Sequence, residues 1–221
     1  MSRVLAISDI HGHSEALLRL LEAAAYDARS DELLLLGDYV DTDARSWHAL
    51  GDVRRLCEAG ARALPGNLEV WLRDRVLSRH PDALPPKDAA FVRGLPGYIA
   101  KGGWLFAHAG IRPGIPLPLQ SEADLTGIRE AFWGHAGRLP YTVVFGHTPT
   151  ARIGAAPGEP WVGVSRIGID TGAKHGGRLT LVDLTGGRCY SCRIGGTGAF
   201  DDFRVAPLPG LPPAPSAAPG E

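Results

Sequence analysis

The sequence predicts an α/β protein built on a largely parallel sheet, and three stretches carry that prediction. Val4-Leu5-Ala6-Ile7-Ser8, Leu33-Leu34-Leu35-Leu36 and Ala61-Arg62-Ala63-Leu64 are short apolar runs of strand length. Each gives way to a polar or glycine-bearing loop and then to a helical pattern. Three such strand-loop-helix units in succession call for right-handed crossovers, which lay the strands parallel and gather the loops at their carboxyl ends on one edge.

The bulk properties set bounds. The chain has 221 residues, 44% hydrophobic and 21% charged, enough for one domain with a sizeable core. A formal net charge of -1 gives no electrostatic case for a nucleic-acid partner or an anionic membrane surface. No apolar run approaches the roughly 20 residues of a membrane span. Met1-Ser2-Arg3-Val4 enters the first strand without an apolar leader, so a cytoplasmic location is expected. Of the three cysteines, Cys57 falls in a helical pattern and reads as a small core residue. Cys189 and Cys192 have no second pair to complete a zinc site and are expected on opposite faces of a strand.

In the first unit the strand ends in Asp9-Ile10-His11-Gly12-His13, and Ser14 is expected to cap a helix carrying Leu17, Leu18, Leu20 and Leu21. In the second, Asp38 and Asp41 follow the four leucines, and a helix is expected from about Ser46 to Ala59. A carboxylate at the end of so apolar a strand must face water or bind a cation, because desolvating it unpaired is prohibitive. The third unit offers Asn67 in Pro65-Gly66-Asn67-Leu68-Glu69, then a helix through about Leu77.

Ala89 to Leu95 reads as a short helix, and Tyr98-Ile99-Ala100 with Trp104-Leu105-Phe106-Ala107 as a hairpin turning at Lys101-Gly102-Gly103. That second strand ends at His108. A helix is expected from about Ser121 to Trp133, carrying Arg129, and the strand Tyr141 to Phe145 ends at Gly146-His147. Strands at Ile167 to Ile169, Arg178 to Asp183 and Cys189 to Ile194 complete the folded part. Residues 204–221, rich in Pro, Ala and Gly, are expected to form a flexible tail.

Five strand ends thus present Asp9 with His11, then Asp38, Asn67, His108 and His147. Oxygen and imidazole donors without thiolate suit Mn, Fe or Zn. Six ligands with one carboxylate free to bridge is the composition of a two-metal site, in which ions about 3.5–4 Å apart activate a water.

Ser8-Asp9-Ile10-His11-Gly12, Gly37-Asp38-Tyr39-Val40-Asp41, Gly66-Asn67-Leu68-Glu69, His108-Ala109-Gly110 and Gly146-His147-Thr148, in this order and spacing, resemble the signature of the calcineurin-like metallophosphoesterases. The spacing is most similar to the phosphoprotein phosphatase branch, which takes in bacterial and bacteriophage lambda serine/threonine phosphatases and the symmetrical diadenosine tetraphosphate hydrolases. The resemblance runs from Val4 to Leu184. It implies two mixed sheets flanked by helices, with residues 1–203 as the catalytic domain. It also implies two divalent ions, most readily Mn²⁺, held by Asp9, His11, Asp38 as bridge, Asn67, His108 and His147. The implied reaction is direct attack of metal-bound hydroxide on phosphorus. Arg129 sits where bacterial relatives hold the phosphoryl oxygens, a task suited to a guanidinium; the competing reading is a solvent-facing helical arginine.

Two departures bear on function. The family continues its second motif as Asp-Arg-Gly, whereas this chain has Asp41-Thr42-Asp43-Ala44-Arg45, so Arg45 would have to reach the phosphate from a different loop geometry. Asp43 beside a phosphate would disfavour a dianion and turn preference toward a phosphodiester. The family's Gly-Asn-His-Asp/Glu is Gly66-Asn67-Leu68-Glu69 here; the missing histidine is the usual proton donor and Asp41 its usual orienting partner. His13, His48 and His175 are the other histidines considered for that role. The leading expectation is hydrolysis of phosphomonoesters: phosphoprotein Ser/Thr or Tyr, or small aryl phosphates. The alternatives are a dinucleoside polyphosphate hydrolase or phosphodiesterase, and a phospho-binding pseudoenzyme.

Overall fold

The computed structural model describes residues 2–195, 199–208 and 210. Strand β1 (Arg3–Ile7), helix α1 (Ser14–Ala23), β2 (Asp31–Leu35), α2 (Ala49–Glu58), β3 (Arg62–Ala63) and α3 (Asn67–Trp71) form the three units expected from the apolar runs. They are followed by α4 (Pro86–Arg93), β4 (Ile99–Lys101), β5 (Trp104–Phe106), α5 (Glu122–Gly127), α6 (Glu130–Trp133) and β6 (Thr142–Phe145). Strands β7 (Trp161–Gly163), β8 (Arg166–Gly168), β9 (Arg178–Asp183), β10 (Arg188–Ile194) and β11 (Phe200–Pro207) close the fold.

The four leucines at 33–36 are fully buried because each face of their sheet has a separate cover. Leu33 and Leu35 pack with Leu17, Leu20 and Leu50 from α1 and α2. Leu34 and Leu36 point the other way, to Phe106, Val144 and Ile167 of a second sheet. On the far side of that second sheet, Leu105, Val143 and Phe145 meet Leu125 and Phe132 of α5 and α6. The period-two alternation of the strands thus builds four layers, helix-sheet-sheet-helix, and each fully buried leucine contributes about 2 kcal/mol.

The sheets run β11-β10-β9-β1-β2-β3 and β4-β5-β6-β8-β7. Strands β1, β2 and β3 are parallel, as are β5, β6 and β8; the outer neighbours pair antiparallel, so both sheets are mixed. The two parallel trios end on one common edge. Cys189 lies in the core between the sheets and Cys192 in the core under the helices, as their odd spacing on one strand requires.

Several local expectations are corrected. Ser14 is the first helical residue of α1, and His13 occupies the cap position. The second helix begins at Ala49, after a 3-10 turn at Ala44–Ser46 whose start is fixed by Asp43 accepting the Arg45 N–H. After α3 the helix continues as a π segment, Leu72–Leu77. The helix expected from Ser121 to Trp133 is two helices: Ser121 caps α5 as its hydroxyl would suggest, but α5 stops at Gly127, a weak helix former. The chain then leaves helical angles at Ile128 and Arg129. Strand β11 runs through Pro207, past the expected domain boundary at 203. Val205, Ala206 and Pro207 pair with Tyr190, Cys189 and Arg188, and Leu208 is buried in the core between the sheets. Residues 209 and 211–221 of the expected tail lie outside the described residues. Among the described residues no helix is long and apolar enough to cross a membrane.

Candidate metal centre

The six candidate ligands arrive from the carboxyl ends of five parallel strands. β1 delivers Asp9 and His11, β2 delivers Asp38, and β3 delivers Asn67 at the first turn of α3. β5 delivers His108 and β6 delivers His147. The first two loops are laced by main-chain bonds, Asp9 N–H to the Gly37 carbonyl at 3.0 Å and His11 N–H to the Asp38 carbonyl at 2.9 Å. The last two are joined by the Gly146 N–H donating to the His108 carbonyl at 2.7 Å.

The donor atoms form two overlapping groups, Asp9-His11-Asp38 and Asp38-His108-His147, within each of which the atoms lie within 4.8 Å of one another. Asp38 belongs to both. Its Oδ2 is 4.0 Å from His11 Nε2, and its Oδ1 is 3.5 Å from His108 Nε2. His11 Nε2 is 3.8 Å from Asp9 Oδ1, and His108 Nε2 is 3.3 Å from Asn67 Oδ1. Both imidazoles are oriented from behind: His11 Nδ1 lies 3.2 Å from the Val40 carbonyl and His108 Nδ1 lies 2.7 Å from the Leu36 carbonyl. Each Nδ1 thus has a carbonyl to donate to, and Nε2 is the nitrogen turned toward the carboxylates, in position to take a metal ion.

The backbone holds this arrangement under strain. Asp9, His11, Asp38 and His147 all have positive φ, at 55°, 47°, 52° and 65°. Residues with side chains resist that region at about 1–3 kcal/mol each, a cost characteristic of functional sites. Two glycines give the carboxylates room: a Cβ at Gly66 would collide with Asp38, and one at Gly146 with Asp9 and Ser8. The Asp9 Oδ2 accepts the His147 N–H at 2.9 Å, tying the first loop to the last.

Glu69 is the group sequence reasoning left without a role. Fully buried, it accepts N–H bonds from Asp38 at 2.7 Å, Tyr39 at 2.9 Å, Val40 at 3.3 Å and Gly66 at 2.8 Å. An acidic residue three positions after the cap residue Gly66, reaching back to the cap N–H, was the available signal.

Burial drives the site's electrostatics. It pushes the Asp38 carboxyl well above the usual carboxylate range, reinforced by Asp9 and Glu69. Burial, with Asp9 nearby, pushes Asp170 up to about 8. Asp9 goes the other way: burial opposes its charge, but the neighbouring His11 and His108 outweigh that and hold it ionised. Burial, His108 and Arg129 together depress His147 to about 3, which keeps that imidazole neutral and free to ligate.

These residues fit a pair of divalent ions. His147 Nε2 is buried without a hydrogen-bond partner, and it belongs to the second donor group. Two carboxylates and three imidazoles, with the Asn67 carbonyl beside His108, make an oxygen and nitrogen set of intermediate hardness.

Arg129 borders the same cavity of about 180 Å³ as Asp9, Asp38, Asn67 and His147. It lies at the break between α5 and α6, where it occupies the cap position of α6 outside helical angles, and it is solvent-exposed. Arg45 is not brought to that cavity. The 3-10 turn folds its guanidinium back onto Asp43 at 2.9 Å, and it lines a neighbouring groove with His13, His48 and Asp41. The Asp43 charge is matched by the same pair. Asp41 accepts Lys174 at 2.9 Å and 3.1 Å, and its Oδ2 is 3.7 Å from His11 Nδ1. Leu68 turns its side chain into the core under the helices, while its N–H donates to Asp38 Oδ1 at 2.9 Å. Of the three spare histidines, His175 borders the metal-site cavity, whereas His13 and His48 border the groove. Arg152, Asp170 and Lys174 also line the cavity and were not foreseen; they come from turns far along the chain that carry no local motif.

The fold and this centre define a metallophosphoesterase. The chain belongs to the calcineurin-like phosphoesterase family, whose sequence profile matches residues 2–183. It is 32% identical over 153 residues to the symmetrical bis(5'-nucleosyl)-tetraphosphatase of Aromatoleum aromaticum, covering 60% of this chain and 55% of that protein. Its identity to the enzyme of the same name from Methylococcus capsulatus is 32% over 122 residues, 50% of this chain and 44% of that one. The chain spans about half the length of these relatives. Among solved structures, one provisionally assigned as a diadenosine tetraphosphatase superposes with a TM-score of 0.72 at 28% identity, over 89% of this chain and 95% of that chain. A metallophosphoesterase from Sphaerobacter thermophilus shares the fold, with a TM-score of 0.55 at 18% identity over 92% and 89%.

Proposed function

We propose that this chain is a binuclear metal-dependent hydrolase of phosphoanhydrides, acting on dinucleoside polyphosphates. The names of the relatives support that substrate class over the phosphomonoesters expected from the sequence. The observation that carries the choice is Leu68. An alkoxide leaves poorly unless a proton arrives as its bond breaks, and a positioned acid contributes about 10²–10⁴-fold. A terminal phosphate has its second pKa near 6, so it departs as a stable anion at neutral pH and needs no such donor. Leucine at this position removes the acid that alkyl esters, phosphoserine and phosphothreonine among them, require.

Two divalent ions, Mn²⁺ in the first instance, would be held by Asp9, His11, Asp38, Asn67, His108 and His147 and would supply Lewis-acid polarisation and an activated water. Arg129 holds phosphoryl oxygens at the edge of the second donor group. Asn67, beside His108, presents its amide to the same phosphate. Asp9 and Asp38 stay fixed through the His147 and Leu68 N–H groups, so the donors need no rearrangement as charge develops.

The test is turnover by Mn²⁺-loaded protein of diadenosine tetraphosphate, bis-p-nitrophenyl phosphate, p-nitrophenyl phosphate and a phosphoserine peptide. The expected kcat/KM for diadenosine tetraphosphate exceeds that for the peptide by about 10²-fold or more. A preference for the peptide would restore the phosphomonoester reading. Full metal occupancy with no turnover of any substrate would make the chain a binding module.

A further inference from the structure

We propose that Lys174 is the contact for the second phosphate of the substrate, the one carried away by the leaving group, and so selects anhydrides over simple esters. The inference rests on the polyphosphate reading above and assigns a residue to it. Lys174 lies in a 3-10 turn, Ala173–His175, bounded by Gly172 and Gly176, both with left-handed backbone angles. The turn is pinned at its start by the Gly172 N–H donating to Asp170 Oδ1 at 2.9 Å, and it closes with the Gly177 N–H on the Gly172 carbonyl at 2.9 Å. Lys174 thus lines the metal-site cavity from a fixed base, with its ammonium on Asp41.

Asp41 holds the ammonium through both carboxylate oxygens, at 2.9 Å and 3.1 Å. An ammonium has three donors, so two go to Asp41 and one remains for a ligand. With side chains 38% and 26% exposed, the pair is too solvated to be explained by folding stability. Its position is what stands out. Asp41 is 3.7 Å from His11, in the first donor group, and Arg129 lines the same cavity as His147, in the second. Both cations thus line the one cavity, and Lys174 is anchored there through a carboxylate beside the first donor group. A phosphoryl group held at Arg129 leaves Lys174 for the next phosphate along the chain. Water forms the new P–O bond and its proton passes to solvent; as the anhydride P–O bond breaks, the electron pair goes to the leaving phosphate oxygen, and the ammonium of Lys174 stabilises that charge as a hydrogen-bond donor. Leu68 cannot approach as a donor, and the carboxylate that would orient a histidine there is engaged by Lys174 instead.

The deciding experiment measures binding of inorganic pyrophosphate and of orthophosphate to the Mn²⁺-loaded protein by calorimetry, alongside kcat/KM for diadenosine tetraphosphate and p-nitrophenyl phosphate. Lys174→Met is expected to weaken pyrophosphate by about 10–100-fold, the weight of one charge-assisted hydrogen bond, and orthophosphate by at least ten times less. The same variant should lose at least about tenfold more kcat/KM on diadenosine tetraphosphate than on the aryl ester, and Lys174→Arg should regain most of the loss. Equal weakening of both anions, or of neither, would overturn the assignment and reduce Lys174 to a support for Asp41. Failure of the unmodified protein to hydrolyse diadenosine tetraphosphate would sink the polyphosphate function by itself. The pyrophosphate to orthophosphate comparison would still decide for or against Lys174.

Discussion

Glu69 and Asp38 are tied together through main-chain N–H groups: the Glu69 carboxylate accepts the Asp38 N–H at 2.7 Å, and the Asp38 carboxylate accepts the N–H of Leu68, beside Glu69, at 2.9 Å. The residue common to both donor groups is therefore fixed from the third loop before any ion binds. Glu69→Gln replaces one acceptor oxygen by an NH₂ facing backbone N–H groups. The expected loss of folding stability is about 3 kcal/mol, with weaker metal affinity as Asp38 loosens. Chemical denaturation and metal titration check this; unchanged values for both would show the Glu69 network to be dispensable.

Asp38→Asn removes a charge the two ions would share. Metal content should fall at both sites together and activity should be nearly abolished at any Mn²⁺ concentration, whereas His108→Ala should deplete mainly the second site. Elemental analysis decides, and full occupancy in Asp38→Asn would refute the bridging role.

Arg129→Ala should lower turnover by about 10²–10³, by analogy with loss of one donor to a developing anion, and should weaken inhibition by inorganic phosphate while metal content stays constant. An unchanged phosphate inhibition constant would leave Arg129 without a role in binding substrate.

Leu68→His restores the family's proton donor beside a carboxylate that Lys174 now occupies. Turnover of a phosphoserine peptide should rise far more than that of p-nitrophenyl phosphate or diadenosine tetraphosphate, whose leaving groups need no proton. Loss of leucine from the core should also lower the melting temperature. A uniform change across the three substrates would show that proton donation does not limit the reaction.

The metal-free protein should lose stability between about pH 7 and 8.5. Asp38, Glu69 and Asp170 all have carboxyls raised by burial, Asp170 to about 8. Each binds its proton more tightly folded than unfolded, so its contribution is complete below the unfolded value of about 4 and is lost as pH rises through the folded one. His147, depressed to about 3, acts in the opposite sense only below about pH 6.5, outside this window. Bound Mn²⁺ neutralises the crowded carboxylates, so its stabilising increment should be larger at the higher pH. Melting curves at both pH values with and without Mn²⁺ test this, and an increment that shrinks with pH would contradict it.

The motif residues were legible because each is a local event. A strand ends, the chain turns, and a polar side chain follows, so periodicity and crossover rules bring Asp9, His11, Asp38 and Asn67 to one edge and put His108 and His147 at two further strand ends. Strand β11 was not legible, because Val205 to Pro207 have no pattern of their own and become a strand only by pairing with the edge of β10. The break at Arg129 escaped for a similar reason: an amphipathic run reads as one helix until packing shows where it turns.

The sequence alone determined the α/β class, the candidate ligands and the leucine at position 68, since each is read from a short run of consecutive residues. Tertiary structure decided which charges meet. Asp41 and Lys174 lie 133 positions apart and are joined only because the edges of two sheets converge, and Arg45, close by in sequence, is turned away by Asp43. Electrostatic partnership depends on distance through space and on burial, and neither is written in the order of the chain.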